Sequence, residues 1–224
     1  MTTETVVAGA REVVLHRIRT ALKFSTDDAA IIGAEYESVS RDYRREGTLG
    51  RATMLEMLAD RLHDYDAHVI RTKSGGVAAA IAKILSERGH RRLVIPEGLA
   101  EALGEPLPEG FEFVTDEAMT TAEIDSFEGV LTASTVAIAE TGTIILQNVP
   151  GQGRRAPTLV PDYHLCVVRA ADVVETVPEA MDRIAATATL STTFFSGPSA
   201  TADIEMTRIK GVHGPRFLDV ILAD

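Results

Sequence analysis

Residues 67–96 read A-H-V-I-R-T-K-S-G-G-V-A-A-A-I-A-K-I-L-S-E-R-G-H-R-R-L-V-I-P, and this stretch decides the fold class. The apolar run at residues 67–71 predicts a β-strand. The spacing of apolar residues over 76–88 predicts a helix that ends at Gly89. A second apolar run at residues 92–95 predicts another strand, so the stretch forms a strand–helix–strand unit.

The same alternation continues toward the C-terminus. Apolar runs bounded by Gly, Pro or charged residues predict further strands, with helices between them. The predicted strands cover residues 111–114, 144–146, 164–168, 192–195 and 217–222, and the predicted helices cover residues 97–103, 121–126 and 174–188. This order favours an α/β fold with an open, mostly parallel sheet flanked by helices.

The first 64 residues have no strand pattern. Apolar residues at helical spacing predict a helix over residues 4–22 and a second one over residues 48–63. We therefore expect an N-terminal helical arm, residues 1–64, followed by an α/β domain, residues 65–224.

Between the two predicted helices lies the polar segment 25–47. Its charged residues and few apolar anchors indicate a solvated connector. The alternative is a basic lid or partner contact, because Arg41, Arg44 and Arg45 can face an acidic ligand.

Composition and charge exclude several classes of protein. The chain has 224 residues, 45% of them hydrophobic, which suffices for a packed core. Its formal net charge of -11 argues against proteins that bind nucleic acid or anionic membranes, because both partners require a clustered basic surface. The single cysteine, Cys166, allows no intrachain disulfide and no cysteine-ligated iron–sulfur cluster. The sequence identifies no cofactor and requires none.

Targeting signals are not expected either. The N-terminus lacks the basic start and continuous apolar core of a secretory signal, and nowhere do about 18 apolar residues run together. Together with the single cysteine, these features predict a cytoplasmic protein without a membrane span.

Residues 132–147, T-A-S-T-V-A-I-A-E-T-G-T-I-I-L-Q, bring a carboxylate to a turn beside the core. A glycine in such a turn lets a ligand or another backbone approach closely. Glu140 is therefore a candidate catalytic base, and Thr141, Gly142 and Thr143 are candidate ligand contacts. In the alternative interpretation, Glu140 accepts backbone hydrogen bonds and stabilises the turn.

Residues 196–215, S-G-P-S-A-T-A-D-I-E-M-T-R-I-K-G-V-H-G-P, have complementary chemistry. Hydroxyl groups and backbone N–H groups near the start of a helix, here predicted near Ala202, can hold an anion. His213 is a candidate catalytic base for a 2-hydroxyl group, or a structural residue of its turn. The candidate ligand contacts of this stretch are Ser196, Gly197, Ser199, Thr201 and Asp203.

The Gly/Pro-rich loop 148–161 carries two adjacent arginines, Arg154 and Arg155. A guanidinium group can bind a carboxylate or phosphate through two hydrogen bonds, so both arginines are candidate contacts for a small anionic ligand. The alternative is a pair of ordinary surface arginines.

Other polar residues are interpreted as structural. His164 and Cys166 alternate along a predicted strand and are expected to pack. The spacing of Asp203, Glu205 and His213 matches no metal-binding motif, so no metal site is predicted.

Four blocks of the sequence resemble the LUD-domain family, and most closely its lactate utilisation protein C branch. They are A-E-T-G-T at 139–143, G-R-R-A-P-T-L-V-P-D-Y-H at 153–164, S-G-P-S-A-T-A-D-I-E at 196–205 and G-V-H-G-P at 211–215. The resemblance covers about the C-terminal half of the chain. It departs from the family at Ala200, a position that is often basic or polar in relatives, and this leaves the backbone and hydroxyl groups of the block in place.

The resemblance implies a fold similar to the ribose-5-phosphate isomerase and CoA-transferase group. It also implies an accessory role in the oxidation of L-lactate to pyruvate, with iron–sulfur partner proteins and with no redox centre in this chain. In the related CoA-transferases a Glu at a similar E-x-G turn attacks an acyl-CoA, which makes Glu140 a candidate nucleophile.

Two other functions remain as alternatives. One is a self-sufficient enzyme that acts on an acyl-CoA or phosphate ligand through Glu140. The other is a binding module that senses lactate or pyruvate near Arg154, Arg155 and His213.

Overall fold

A computed structural model describes residues 9–23, 26–201 and 209–224. The chain divides into two compact units, residues 1–43 and residues 44–224. Among the described residues, the second unit contains three sheets, of six, four and two strands.

The described part of the first unit is helical. It contains helix α1 (Ala10–Ala21) and helix α2 (Thr26–Ser38). Helix α1 lies within the helix predicted over residues 4–22, of which residues 4–8 lie outside the described ranges. No residue of α1 is buried.

The second unit alternates strands and helices, as predicted. Its strands are β1 (His68–Thr72), β2 (Arg92–Ile95), β3 (Glu112–Thr115), β4 (Gly129–Thr132), β5 (Val136–Ile138), β6 (Thr143–Gln147), β7 (Tyr163–Arg169), β8 (Val173–Val174), β9 (Thr192–Phe195), β10 (Ala200–Thr201), β11 (Ile209–Lys210) and β12 (Phe217–Ala223). Its helices are α3 (Arg51–Asp64), α4 (Val77–Arg88), α5 (Leu99–Leu103), α6 (Thr121–Asp125) and α7 (Val177–Ile184). Within the described ranges, no helix has both the length and the apolar character needed to cross a membrane.

Six strands form the main sheet in the order β1-β12-β7-β4-β2-β3, and every neighbouring pair is parallel. This confirms the predicted open, mostly parallel sheet. Strands β1 and β2 of the strand–helix–strand unit belong to this sheet, but three strands lie between them. The order of strands depends on long-range pairing, which local periodicity does not report.

A second sheet has the order β8-β5-β6-β9. Strands β5 and β6 form an antiparallel hairpin whose turn is the A-E-T-G-T block, and β9 pairs antiparallel with β6. The sequence pattern predicts β6 and β9 but not β5 or β8. Three-residue and two-residue strands are too short to show a period, so only their pairing reveals them.

Helices cover both faces of the main sheet. On one face, Leu55, Leu58 and Leu62 of α3 are buried in a core with residues of β7 and β12. On the other face, Ile81 and Ile84 of α4 are buried against the same two strands and β2. Helix α3 falls within the predicted arm, yet its leucines belong to the core of the second unit.

A buried carboxylate links β12, β7 and the C-terminal end of α4. Asp219 is fully buried and accepts two hydrogen bonds from the Arg88 guanidinium group. The Tyr163 hydroxyl donates to the same carboxylate over 2.9 Å. Burial, followed by the negative charge of Asp219, raises the pKa of Tyr163, so the phenol stays protonated and keeps donating.

Strand β7 also buries His164 and Cys166, as predicted. His164 Nε2 lies 2.8 Å from Thr132 Oγ1 on the neighbouring strand β4. Burial, aided by the positive charge of Arg155, lowers the pKa of His164 to about 3, so the imidazole is neutral at physiological pH. Burial raises the pKa of the Cys166 thiol to about 12, which keeps the sulfur protonated.

The substitution Asp219→Ala is expected to lower the free energy of unfolding by about 3 to 5 kcal/mol, because it leaves Arg88 and the Tyr163 hydroxyl without their acceptor. Urea denaturation measures this loss. The matched control is Asp162→Ala, which breaks the exposed ion pair with Arg216 and is expected to change stability little. Equal losses for the two variants would contradict the assignment.

Stability is also expected to depend on the protonation of His164. The folded pKa of about 3 lies below the unfolded value of 6.5. As the pH falls, the unfolded chain therefore takes up this proton before the folded chain does. The stability contribution is therefore complete above pH 6.5 and falls as the pH decreases, by at most about 1.4 kcal/mol per pH unit.

Urea unfolding between pH 5 and 7, above the range in which ordinary carboxylates titrate, measures this slope. His164→Gln is expected to flatten it, whereas His63→Gln, which changes an exposed residue of α3, is expected to leave it unchanged. An unaltered slope in His164→Gln would show that His164 is not the titrating group.

Candidate functional site

Several of the predicted site residues meet at one pocket, here called the hydroxyl pocket. It has a volume of about 240 Å³ and lies where β7 and β12 begin. Its polar lining consists of Arg155, Thr158, His164, Ser196, Ser199 and His213. Its apolar lining includes Leu146, Phe195 and Leu218, which come from three different strands.

The pairing of the central strands explains part of this arrangement. His164 and Leu218 are the second residues of β7 and β12, and they are register partners. The ring centroids of His164 and Phe195 lie 5.3 Å apart, which joins β9 of the second sheet to the pocket. The pocket therefore lies between the two sheets.

A chain of hydroxyl groups connects the A-E-T-G-T turn to the pocket. Thr141 Oγ1 lies 2.7 Å from Thr143 Oγ1, which lies 2.8 Å from Ser196 Oγ. Thr143 and Ser196 are 53 residues apart in sequence. The structure thus places Thr141 and Thr143 behind Ser196, whereas only Ser196 lines the pocket.

Ser199 holds the two C-terminal blocks together. Its backbone N–H donates to the Pro215 carbonyl over 2.8 Å, and its carbonyl accepts from the Gly211 N–H over 2.9 Å. Its hydroxyl accepts from the backbone N–H of His213 over 3.1 Å. Ser199 therefore holds His213 at the pocket, although the two residues belong to different sequence blocks.

The two candidate glycines are required by close packing. Gly197 has φ +80°, and a Cβ atom there would lie 2.4 Å from Tyr65 Cβ. Gly142 has φ +62°, and its Cβ atom would lie 2.7 Å from Arg61 Cβ. Both backbone positions favour glycine, and both lie against the C-terminal end of α3. Gly197 lines the pocket, whereas Gly142 does not.

Arg155 supplies the positive charge of the pocket. Its guanidinium group donates to the Thr158 carbonyl over 3.2 Å and to the Thr158 hydroxyl over 3.0 Å. Within the part of the chain that the structure describes, it forms no ion pair with a carboxylate. Desolvation lowers the pKa of Arg155 but leaves the guanidinium charged, so it is available to an anion.

Arg154 faces away from the hydroxyl pocket. It donates to both carboxylate oxygens of Asp116, over 2.6 and 2.7 Å, and to the Met119 carbonyl over 2.6 Å. Burial raises the pKa of Asp116, but the hydrogen bonds from Arg154 and the Met119 N–H outweigh this effect and leave the pKa below its ordinary value. Of the two adjacent arginines, only Arg155 therefore lines the hydroxyl pocket, although both line the neighbouring cavity of about 190 Å³.

Glu140 takes part in an ion-pair cluster outside the pocket. Its carboxylate pairs with Arg44, which also pairs with Glu175. Its backbone N–H donates to the Glu175 carbonyl over 3.1 Å, and its carbonyl accepts from Arg61 Nε over 3.3 Å. These contacts support the structural alternative for Glu140, and no geometry here presents its carboxylate to the hydroxyl pocket.

No motif in the sequence marks Glu175 as an important residue. Its side chain accepts from the backbone N–H groups of Thr48 and Leu49, over 2.5 and 2.7 Å, just before α3 begins. Those hydrogen bonds, together with Arg44, lower the pKa of Glu175 despite desolvation. The carboxylate therefore anchors the segment that leads into α3.

The hydroxyl pocket has three further lining residues that the sequence does not mark as site residues. His164 is buried in β7 as predicted and also lines the pocket, together with Thr158 and Phe195. The signal for two of them was present, since Thr158 and His164 both belong to the block at 153–164. Thr201 lies in β10 and does not line the pocket, and Asp203 and Glu205 lie outside the described residues.

The arrangement is suited to binding a small anion that also has a polar group. Arg155 supplies a cation, the hydroxyl groups supply hydrogen-bond donors and acceptors, and the apolar residues form a wall that excludes water. Among the described residues, no group of three or more His, Cys, Asp or Glu side chains is placed to hold a metal ion.

Comparisons with known proteins agree with the fold. A protein named Lactate utilization protein C from Deinococcus radiodurans is 41% identical over 201 residues, which cover 88% of this chain and 92% of that protein. A Lactate utilization protein C from Bacillus pumilus is 26% identical and is covered to 96%, as is this chain. A crystal structure described as a DUF162 family protein from Deinococcus radiodurans matches with a TM-score of 0.67 at 37% identity, covering 79% of this chain and 100% of that one.

The match to a family model agrees with these relatives. The model is described as the LUD domain and matches residues 55–223, from the middle of α3 to the end of β12. The matched range contains all three sheets of the described residues and every described residue of the hydroxyl pocket. The chain therefore belongs to the LUD domain family.

Proposed function

We propose that this protein takes part in lactate utilisation by binding lactate or pyruvate in the hydroxyl pocket. The observation that carries the proposal is Arg155, a cation without a carboxylate partner among the described residues, placed among hydroxyl groups in a pocket of a LUD-domain protein. The curated relatives are named for lactate utilisation, which supports the choice of ligand.

The shape and chemistry of the pocket suit a ligand of a few heavy atoms. Its volume of about 240 Å³ lies below the range typical of sites for drug-sized molecules. Arg155 is the partner for the carboxylate, because its guanidinium group can donate two parallel hydrogen bonds. The hydroxyl groups of Ser196 and Ser199 are the partners for the 2-hydroxyl or 2-oxo group, and Phe195 and Leu218 are the surface for the methyl group.

The role of His164 in this site is electrostatic. As a neutral group it adds no second positive charge beside Arg155. Its ring is already hydrogen-bonded to Thr132 at Nε2. We therefore assign ligand orientation to His164, rather than proton abstraction.

Oxidation of L-lactate to pyruvate releases two electrons and two protons. We propose that iron–sulfur partner proteins accept these electrons and that this chain is an accessory component without a redox centre. The single cysteine supports this division, because Cys166 is buried and its thiol has a pKa raised to about 12, which disfavours the thiolate that ligates a cluster.

Arg155→Gln is expected to weaken binding of lactate and pyruvate at least tenfold, since a hydrogen-bonded charge contributes more than about 1.4 kcal/mol. Isothermal titration calorimetry measures the dissociation constants. The matched control, Arg154→Gln, removes the same charge one residue away and is expected to leave both constants within about twofold of the parent, since Arg154 does not line the pocket. Equal effects of the two substitutions, or no binding by the parent protein, would exclude the hydroxyl pocket as the lactate site.

The cellular role is tested separately in a deletion strain grown on lactate as the carbon source. The parent gene is expected to restore growth, and Arg155→Gln is expected to fail at an equal protein level, because the carboxylate contact is lost. The tagged parent protein is expected to co-purify with iron–sulfur proteins from lactate-grown cells. Normal growth of the deletion strain, together with recovery of the protein alone, would refute the accessory role.

A further inference from the structure

Two cavities lie at the opposite end of the main sheet from the hydroxyl pocket. The larger one, about 380 Å³, lies beyond the carboxyl ends of β2 and β3, and the smaller one, about 140 Å³, lies beyond those of β4 and β7. Both are lined by Pro150 and Gln152 of the Gly/Pro-rich loop. We call them together the carboxyl-edge cleft. In open α/β sheets this edge is where ligands generally bind.

The smaller cavity contains a buried hydroxyl group without a partner. Ser134 is the second residue after β4 and is 8% exposed, and its Oγ atom has no hydrogen-bond partner among the described residues. A buried polar group in this state costs free energy unless a ligand or water satisfies it. The neighbouring residue, Ala133, donates its backbone N–H to the Gly151 carbonyl over 2.8 Å, which holds the loop above Ser134.

Gln152 adds a second donor that has no protein acceptor among the described residues. The side chain is 7% exposed, and its Oε1 atom accepts from Thr135 Oγ1 and from the backbone N–H of Gln147, each over 2.8 Å. Because a backbone N–H can only donate, these contacts fix which end of the amide is the oxygen. The Nε2 group has no acceptor among the described residues.

The third donor is Arg169 at the end of β7. Its Nε atom donates to Asp172 over 2.8 Å, while its two terminal nitrogens have no acceptor within the described ranges. The remaining residues of the smaller cavity, Ala102, Leu103, Ala133, Pro150 and Val167, carry no charge. Three donors thus line the smaller cavity, whose own lining includes no carboxylate. Arg169 is paired with Asp172 through Nε alone, so its two terminal nitrogens remain for a ligand, whereas Arg154 binds Asp116 through two nitrogens.

The larger cavity has the opposite character. Its walls include Pro96, Val130, Val149 and Pro157, and its charged residues are Glu97 and the paired Asp116 and Arg154. Since Arg154 is neutralised by Asp116, an anion gains no net attraction there, while Glu97 repels it. Apolar walls of this kind favour the ring or chain of a ligand.

We propose that the carboxyl-edge cleft is a second ligand site, for a small molecule with an oxyanion at one end and an apolar ring at the other. Ser134, Gln152 and Arg169 bind the oxyanion in the smaller cavity, and the ring lies against the prolines of the larger one. Phosphate and carboxylate groups share this chemistry. The cleft and the hydroxyl pocket share no lining residue, and a third cavity of about 190 Å³ between them shares residues with both.

The probes are phenyl phosphate, benzoate, inorganic phosphate and benzyl alcohol, each titrated into the full-length protein to about 10 mM, since fragments of this size bind weakly. Saturation-transfer NMR detects the binding. We expect phenyl phosphate or benzoate to bind at least tenfold more tightly than inorganic phosphate or benzyl alcohol, because only they fill both cavities. Preference for phenyl phosphate identifies a phosphate ligand, and preference for benzoate identifies a carboxylate.

Gln152→Glu is the decisive variant, since it keeps the acceptor for Thr135 and Gln147 but replaces the free donor by a negative oxygen. It is expected to weaken binding of the preferred probe at least tenfold, and Ser134→Ala at least threefold. Arg155→Gln is the control and is expected to leave this binding unchanged.

Each cleft variant must retain the thermal midpoint of the parent to within a few degrees. The result that overturns the proposal is no saturable binding of any probe, or binding that Gln152→Glu and Ser134→Ala leave unchanged in folded protein. Because lactate affinity is measured at Arg155, failure of the cleft leaves the test of the hydroxyl pocket intact.

Discussion

The burial of β7 on both faces is the constraint on which the rest of the structure depends. This strand lies between β12 and β4 in the main sheet, and its first six residues are buried. A strand covered on both faces must satisfy each polar side chain internally, because no water is available to it. Tyr163 does so through Asp219, and His164 does so through Thr132.

That constraint also organises the chemistry of the molecule. At its amino end, β7 presents His164 to the hydroxyl pocket, and at its carboxyl end it presents Arg169 to the carboxyl-edge cleft. The loop between β6 and β7 divides in the same way, because Arg155 lines the pocket whereas Gln152 lines the cleft. One strand and one loop therefore place polar groups at both ends of the sheet.

The second sheet has a supporting role that its size does not suggest. Its hairpin turn carries Glu140 into a cluster with Arg44 and Glu175, and the same cluster holds the segment before α3. On its other side, Thr143 contacts Ser196 at the edge of the pocket. The Glu140 carboxylate thus joins structural elements outside the hydroxyl pocket.

How much of this was predictable differs between the fold and the site. The α/β class, the parallel sheet and the burial of α4 follow from apolar periodicity. A buried helix face or a buried strand produces a regular spacing of apolar residues within the segment itself. The family blocks contain Ser196, Ser199, His213 and Arg155, which the structure brings together in the lining of one pocket. The sequence could not predict that Arg154 pairs with Asp116 while Arg155 lines the hydroxyl pocket. The two arginines are adjacent in a loop, where no periodic pattern shows the direction of each side chain.

By itself the sequence determined the class of fold, the absence of cysteine ligands beyond Cys166, and the stretches in which site residues lie. Only the tertiary structure decided which of those residues converge, and it added Ser134 and Gln152, which no motif marks. The physical reason is the sequence separation of the residues involved. Periodicity within a segment indicates which of its residues are buried, whereas a site depends on hydrogen bonds and charges between residues far apart in sequence. Those contacts exist only after the strands have paired and the loops have packed across their ends.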